Sequence, residues 1–169
     1  MNGSGKTTTI GMMLGLLKPS KGEILIDGKK IEENRIEILQ KINIISPYIE
    51  LPKKLTVKQN LIVYCRLYNV SNIKNRIEYL VEKLRLEDLL NRVTGELSSG
   101  QKNRASLAKA LINNPTVLFL DEPTASLDPE IGDFIRSFLE NYKKEKKISI
   151  LLASHNMNEV TRLCSTVLM

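Results

Sequence analysis

The chain has 169 residues, of which 42% are hydrophobic and 26% are charged, and this length and composition are typical of one folded domain with its own core. The sequence contains no uninterrupted apolar run of about 18 residues and no secretory signal, which argues against an integral membrane protein or a secreted one. The formal net charge of +6 is compatible with an anionic membrane surface or with nucleic acid and selects neither, and Cys65 and Cys164 fit no metal-binding or disulfide spacing.

The chain begins with most of a phosphate-binding loop, followed by an amphipathic helix. Its first residues, MNGSGKTT, match the end of the pattern G-x-x-x-x-G-K-[ST], whose first glycine would lie just ahead of Met1. In such a loop the N–H groups and the helix N-terminus surround phosphates, Lys6 reaches the β- and γ-phosphates, and Thr7 offers a hydroxyl to Mg²⁺. The alternative is a terminus rich in glycine and threonine with no binding role.

Short strands and helices are predicted between residues 23 and 84. They are a strand over 23–26 closed by an Asp27-Gly28 turn, a helix around 35–39, a strand over 42–46, a helix opened by a capping box of Thr56 with Gln59, and a helix over 72–84. The apolar stripes of the last two helices are expected to be core.

The stretch LSSGQKNRASLAKALI, residues 97–112, predicts a helix whose N-terminus suits a phosphate. One apolar stripe contains Ala105, Leu107, Ala108, Leu111 and Ile112, whereas Lys102, Arg104 and Lys109 lie off it. Ser98, Ser99 and Gly100 stand at the start, where unpaired N–H groups and the positive end of the helix dipole favour an anion. The alternative is an ordinary serine cap.

The next segment, VLFLDE, is an apolar strand that ends in two carboxylates, Asp121 and Glu122. In a magnesium site Asp121 would hold the ion through water, and Glu122 would orient or deprotonate an attacking water. The alternative is a strand that ends in a solvated acidic turn. The following loop leads into a helix with Asp128 as its N-cap and Pro129 at its first position.

The last predicted elements are an apolar helix face over 131–139, a strand over 148–153, a helix for which Asn156 and Glu159 form the cap, and a strand over 165–169. Ser154 and then His155, the only histidine in the sequence, follow the strand at its C-terminal end. A lone histidine is more often structural, but this one lies at a strand end, where α/β sheets place their ligands.

The order of LSSGQ and LFLDEPTASLD resembles the signature, Walker B and D-loop series of ATP-binding-cassette (ABC) ATPases. The resemblance covers nearly all of the chain and implies an α/β P-loop NTPase domain of three layers with a mostly parallel sheet. Residues 1–55 and 96–169 would form the nucleotide-binding core, and 56–95 an inserted helical subdomain. We expect the strand that precedes the phosphate loop (Walker A) to be absent, and the isolated chain to hydrolyse ATP poorly.

The resemblance also implies roles for individual residues. ATP would be bound by Asn2, Gly3, Ser4, Gly5, Lys6, Thr7 and Thr8, and Mg²⁺ by Thr7 and Asp121. Glu122 and His155 would be catalytic, with His155 contacting the γ-phosphate. Leu97, Ser98, Ser99, Gly100 and Gln101 would complete the site of a second subunit, and the D-loop would contain Ser126, Leu127 and Asp128. The family's usual glutamine after the second strand aligns with Pro47, which has neither a side-chain acceptor nor an N–H group.

The function implied by the resemblance is that of the ATP-binding and ATP-hydrolysing subunit of a membrane transporter. An exporter is favoured because the stretch from Leu55 to Tyr68 is similar to that of exporter-type cassettes. The expected partners are a transmembrane permease subunit and a second ATP-binding subunit, identical or different, at the cytoplasmic face of the membrane, and no specific nucleic acid. The alternatives are a soluble ABC-type ATPase acting on ribosomes or DNA and a non-catalytic cassette fragment.

Overall fold

The structure, a computed structural model, describes residues 5–167 without the side chain of Thr7. Its helices and strands are α1 (Lys6–Met13), β1 (Leu25–Ile26), β2 (Lys29–Lys30), α2 (Arg35–Lys41), β3 (Ile42–Ile45), α3 (Val57–Leu67), α4 (Ile73–Leu84), α5 (Ser99–Leu111), β4 (Val117–Asp121), α6 (Pro129–Lys146), β5 (Ser149–Ala153) and α7 (Met157–Leu163). In residues 5–167 no helix combines the length and the hydrophobicity needed to cross a bilayer.

A parallel sheet with the order β3-β4-β5 forms the middle layer. Ile45 pairs with Leu120 and Leu120 with Leu152, so the carboxyl ends of the three strands lie at one edge. The central strand β4 is apolar from Val117 to Leu120 because helices cover both of its faces, and its last residue, Asp121, is a buried carboxylate. A separate hairpin joins β1 to β2 through Asp27 and Gly28, both with positive φ.

Two apolar clusters flank the sheet and make three layers. Leu118 and Leu120 point into the larger cluster, which also contains side chains of α3, α4, α5 and α6. Phe119, between them in sequence, points to the opposite face, where it packs with side chains of α1 and α2. Successive residues of a strand face opposite sides, so a short apolar strand can serve both clusters. The predicted α/β three-layer arrangement is confirmed.

Local signals in the sequence account for most element boundaries. Thr56 and Gln59 form the predicted capping box of α3, and Asp128 caps α6 with Pro129 in its first turn.

Burial raises the pKa of both cysteine thiols, Cys65 and Cys164, which keeps them protonated and unreactive near neutral pH. The assignment of 56–95 as a subdomain remains a prediction, since the larger cluster includes side chains of α3 and α4 as well as of α5 and α6.

Two sequence predictions about helix and strand ends are wrong. Asn156 caps α7 alone, and Glu159 is buried against Thr124 instead of joining the cap. The strand predicted over 165–169 is not formed at 165–167, where Ser165 and Thr166 make a bend, and Leu168 and Met169 lie outside the described residues. A strand requires a hydrogen-bonded neighbour, and the sheets of the described part of the chain contain none for this segment.

Lys109, which the sequence places off the apolar stripe of α5, is nevertheless buried in the structure. Helix α5 packs against β3 on one side and against α3 and α4 on others, so it is buried around most of its circumference. Lys109 is 8% exposed, with its Nζ 3.2 Å from Asn43 Oδ1 and 5.3 Å from the centre of the Tyr64 ring. Burial lowers its pKa from 10.5 to about 8, because the charged form has lost its water.

Candidate nucleotide site

Polar residues follow all three parallel strands where their carboxyl ends meet. Ser46 follows β3, Asp121 and Glu122 stand at the end of β4, and Ser154 and His155 follow β5. Because the strands are parallel and paired in register, these residues share one edge of the sheet. Ligands of open α/β sheets bind at this edge. The structure therefore brings the acidic pair and the histidine together at the position where a ligand is expected.

Asp121 is buried and is held by a hydroxyl group. Asp121 is 7% exposed, and its Oδ2 accepts a hydrogen bond of 3.2 Å from Ser46 Oγ. Ser46, 9% exposed, lies beside it because the preceding residues, Ile45 and Leu120, are partners in the sheet. Sequence analysis missed Ser46, although the same signal was available, namely a polar residue directly after a buried parallel strand.

Glu122 is fixed by the segment that follows β5. Its backbone turns out of the strand with a φ of 48°, and its N–H donates to the carbonyl of Ala153 at 2.8 Å. The carboxylate Oε1 accepts the backbone N–H of His155 at 3.0 Å and lies 3.7 Å from Nε2 of that histidine. The Oγ of Ser154 lies 3.5 Å from Oε2. A left-handed backbone at a non-glycine residue costs about 1–3 kcal/mol, and these contacts hold it in place.

Lys6 adds a positive charge to the same place. It is the first residue of α1, and its Nζ lies 3.5 Å from Nε2 of His155. Gly5 before it has a φ of 77°, a conformation that glycine adopts without strain. An ammonium group, an imidazole and a carboxylate thus stand in a row formed by residues far apart in sequence. Thr8 is exposed in the first turn of α1.

Part of the predicted phosphate loop lies outside the described residues. This applies to Asn2, Gly3 and Ser4 and to the hydroxyl of Thr7. For the described portion, the start of α1 is directed toward the sheet edge that carries His155, since Lys6 contacts it. A helix N-terminus at this edge offers unpaired N–H groups to a phosphate.

The donor groups at the edge fit Mg²⁺. Asp121 offers a carboxylate, the kind of hard oxygen ligand that this ion prefers. Across residues 5–167, no group of three or more His, Cys, Asp or Glu side chains could hold a metal by itself. Mg²⁺ commonly takes one or two protein carboxylates and completes its shell with water and substrate phosphates. The assignment of Mg²⁺ to Thr7 and Asp121 remains a prediction.

The start of α5 is closed by a reciprocal pair of hydrogen bonds. Ser98 Oγ accepts the N–H of Gln101 at 3.4 Å, and Gln101 Oε1 accepts the N–H of Ser98 at 3.0 Å. Ser98 therefore forms the ordinary serine cap that the sequence analysis gave as an alternative to phosphate binding. Because a hydroxyl also has a proton to donate, the cap leaves Ser98 able to bind an anion as well.

The predicted signature residues do not join the row around His155. Leu97 and Gly100 are buried, and a Cβ at Gly100 would come within 3.3 Å of Ile131 Cγ2, so a larger residue would require the Ile131 side chain to shift by a few tenths of an ångström. Ser98 and Ser99 are exposed. Among the described residues, no hydrogen bond or ion pair connects 97–101 with Lys6, Glu122 or His155.

The segment after Glu122 is anchored by contacts that sequence analysis missed. Asn103 of α5 donates to the carbonyl of Pro123 at 2.7 Å. Thr124 donates to the carboxylate of Glu159 on α7 and accepts from Arg136 of α6 at 3.3 Å. Asn103, Arg136 and Glu159 lie on helix faces, where periodicity alone does not distinguish a buried partner from a solvated one.

The predicted D-loop residues follow this anchored stretch. Ser126 is exposed with a φ of 60°, Leu127 is half-buried, and Asp128 Oδ1 accepts the N–H of Ile131 at 2.9 Å. A cleft of about 210 Å³ lies between the loop after β3, the start of α5 and the loop after β4, and its walls include Pro47 and Glu122. The loop after β3 therefore borders the candidate site.

Comparison with known proteins yields a consistent result. A family model described as ABC transporter matches residues 1–125. The ABC transporter ATP-binding protein NatA of Bacillus subtilis is 38% identical over 171 residues, which cover 99% of this chain and 69% of that protein. The bacitracin transport ATP-binding protein BcrA of Bacillus licheniformis is 37% identical, covering 98% and 54%. The Nod factor export ATP-binding protein I of Rhizobium johnstonii is 41% identical, covering 96% and 53%. The chain thus spans about half the length of the last two relatives.

Solved structures give the same picture of the fold. The dimeric structure of MJ0796, a bacterial ABC transporter cassette, superposes with a TM-score of 0.86 at 27% identity, covering 95% of this chain and 74% of that one. A post-hydrolysis state of the same cassette bound to ADP and Pi gives 0.84 at 27% identity, covering 94% and 73%. The cbiO1 protein of Clostridium perfringens, part of the transporter complex cbiONQ, gives 0.81 at 34% identity, covering 97% and 68%.

Proposed function

The chain belongs to the ABC transporter ATP-binding family, and on that premise we propose that it binds ATP with Mg²⁺ and hydrolyses it as the ATP-binding subunit of a membrane exporter. The observation that carries the proposal is the row formed by Lys6, His155 and Glu122 beside the buried carboxylate of Asp121. Few other functions require an ammonium group, an imidazole and two carboxylates at the edge of a parallel sheet, next to a helix N-terminus.

In the proposed complex the triphosphate lies over the N-terminus of α1, and Lys6 balances the negative charge of its β- and γ-phosphates. Mg²⁺ would be held by Thr7 and Asp121, and it would neutralise charge that develops on the phosphate oxygens. The buried position of Asp121 favours this role, because a carboxylate with little water around it has most to gain from a cation.

Hydrolysis is assigned to Glu122 and His155. The carboxylate of Glu122 orients a water molecule for attack on the γ-phosphate, and it is kept in position by the backbone N–H of His155. The imidazole of His155 lies between Lys6 and Glu122, so it can contact the γ-phosphate while fixing the geometry of the carboxylate. These roles require no movement of the sheet, since all three groups are already adjacent.

Two copies are proposed to share each nucleotide. Within the part of the chain that the structure describes, the exposed Ser98 and Ser99 make no hydrogen bond to Lys6, Glu122 or His155. A second ATP-binding subunit, identical or different, would present its residues 97–101 to the phosphates. Ser126, Leu127 and Asp128 would lie at the subunit boundary. The dimeric form of the related MJ0796 cassette supports this arrangement.

A role in transport is proposed from the names of the related proteins. NatA and BcrA are named as transporter ATP-binding proteins, the Rhizobium relative is an export protein, and cbiO1 belongs to a transporter complex. We therefore infer a transmembrane permease as partner and a peripheral position at the cytoplasmic face of the membrane. Within the chain, 1–55 and 96–169 would bind nucleotide, and 56–95 would form the helical subdomain.

The test uses Glu122→Gln in the full-length protein. We expect ATP binding to persist, turnover to disappear and an ATP-dependent dimer to accumulate in gel filtration, because the amide keeps the shape of the carboxylate but cannot take up a proton. The exposed Glu78→Gln on α4 is the matched control and should behave as the wild type. Undiminished ATP turnover by Glu122→Gln would contradict the proposed catalytic role of Glu122. ATPase activity stimulated by ribosomes or DNA, and unaffected by a membrane partner, would favour a soluble ATPase.

A further inference from the structure

We propose that the loop after β3 acts on the metal site through its Ser46-Pro47 turn. In this proposal Ser46 is a positioning residue for Asp121. This inference rests on the proposed function, because it concerns the residue that would hold Mg²⁺. The family resemblance aligns the usual glutamine of this loop with the next position, where this chain has Pro47.

The sheet forces the two residues together. Ile45 and Leu120 are paired neighbours in β3 and β4, so the next residue of each chain segment, Ser46 and Asp121, stands side by side at the strand ends. Both are at least nine-tenths buried, and Ser46 Oγ lies 3.2 Å from Asp121 Oδ2. A hydrogen bond from a hydroxyl to a buried carboxylate is stronger than one at the surface and fixes its orientation.

The turn itself directs the hydroxyl proton to Asp121. The N–H of Tyr48 donates to Ser46 Oγ at 3.3 Å, and the N–H of Ile49 donates to the carbonyl of Ser46 at 3.1 Å. The second bond closes a four-residue turn with Pro47 at its second position, where the fixed φ of proline is favourable. Since Tyr48 occupies a lone pair of Oγ, the hydroxyl proton is available for the carboxylate.

Pro47 can offer a metal or a water molecule only its backbone carbonyl, because it has no polar side chain and no N–H group. It lies in the wall of the cleft that also contains Glu122, and its ring stiffens the turn. The loop would therefore act on the metal site through the hydrogen bond from Ser46 to Asp121, and Asp121 would offer its other carboxylate oxygen to the ion or its water.

The experiment measures metal affinity separately from turnover. Mn²⁺ binding to the full-length protein with ATP is followed by electron paramagnetic resonance, and ATP affinity is measured in EDTA. We expect Ser46→Ala to weaken Mn²⁺ binding by about tenfold or more, the usual effect of losing a partner of a metal ligand, while ATP affinity in EDTA stays within about twofold. Ser46→Thr keeps the hydroxyl and should retain affinity close to the wild type.

The control is Ser149→Ala, the same substitution at the exposed opposite end of β5, which should leave Mn²⁺ binding unchanged. Equal Mn²⁺ affinity of Ser46→Ala and the wild type would overturn the role of Ser46, as would an equal loss in Ser46→Thr. Failure of the wild type to bind Mn²⁺ with ATP would instead overturn the proposed function, so the two outcomes are distinguishable. Thermal melts of all variants exclude unfolding as the cause.

Discussion

Lys109 provides a quantitative test of the packing around α5. Its ammonium group is buried at 8% exposure, with an amide oxygen of Asn43 and the ring of Tyr64 as neighbours. No carboxylate pairs with it among the described residues. The fall of its pKa from 10.5 to about 8 corresponds to about 3 kcal/mol of lost stability when the lysine is charged in the folded state.

The sign of the pH dependence follows from this lowered pKa. Between pH 8 and 10.5 the unfolded chain keeps its proton on Lys109 while the folded chain releases it, so the unfolded state binds more protons and stability rises with pH. Integrated from pH 7 to about pH 9.5, the gain in the free energy of unfolding is about 2 kcal/mol. In Lys109→Met this gain is absent, because methionine fills a similar volume without a titratable group.

The assay is urea denaturation of the wild type and of Lys109→Met at pH 7 and pH 9.5. We expect the variant to be at least as stable as the wild type at pH 7, and the wild type to gain about 2 kcal/mol relative to it at pH 9.5. Other groups that titrate in this range are shared by both proteins and cancel in the difference. The exposed Lys58→Met is the control. A constant difference between wild type and Lys109→Met at both pH values would refute the reasoning.

Two further predictions concern helix ends. Ser98→Ala removes the cap bond to Gln101 and should lower the free energy of unfolding by about 1 kcal/mol in urea denaturation, whereas Ser99→Ala, outside the cap, should change it much less. Arg76→Met removes the guanidinium that donates to carbonyl groups at the end of α5 and to the hydroxyl of Tyr142, and should cost about 1–3 kcal/mol. Faster hydrogen exchange at the end of α5 should accompany it, and unchanged exchange there would contradict the assigned contact.

The sheet edge was predictable because its chemistry is local in sequence. Asp121, Glu122 and His155 lie within two residues of the ends of apolar runs that are typical of strands, and parallel strands place such residues on one edge. The same argument applies to Ser46, but the sequence assigns Ser46 to the predicted strand over 42–46 and not to the edge that follows it. The contact between Lys6 and His155 joins residues 149 positions apart, and spacing alone could not have predicted it.

The wrong predictions have a common physical cause. A single apolar stripe on a helix assumes that one side is buried, but α5 is covered by the sheet and by two helices, so Lys109 became part of the interior. The spacing between Asn156 and Glu159 predicts that both form a cap. In the folded structure the carboxylate of Glu159 instead accepts a hydrogen bond from Thr124. Each case depends on neighbours that come from elsewhere in the chain.

The hydrogen bonds that anchor Pro123 and Thr124 limit how the segment after Glu122 can move. Asn103 of α5 holds the backbone at Pro123, and Glu159 of α7 holds the side chain of Thr124, so the two residues after Glu122 are bonded to different helices. The backbone that leaves Glu122 is therefore fixed at two points. Under the proposed function, a shift of α5 relative to α7 would move this segment and change how the Glu122 carboxylate is oriented toward water.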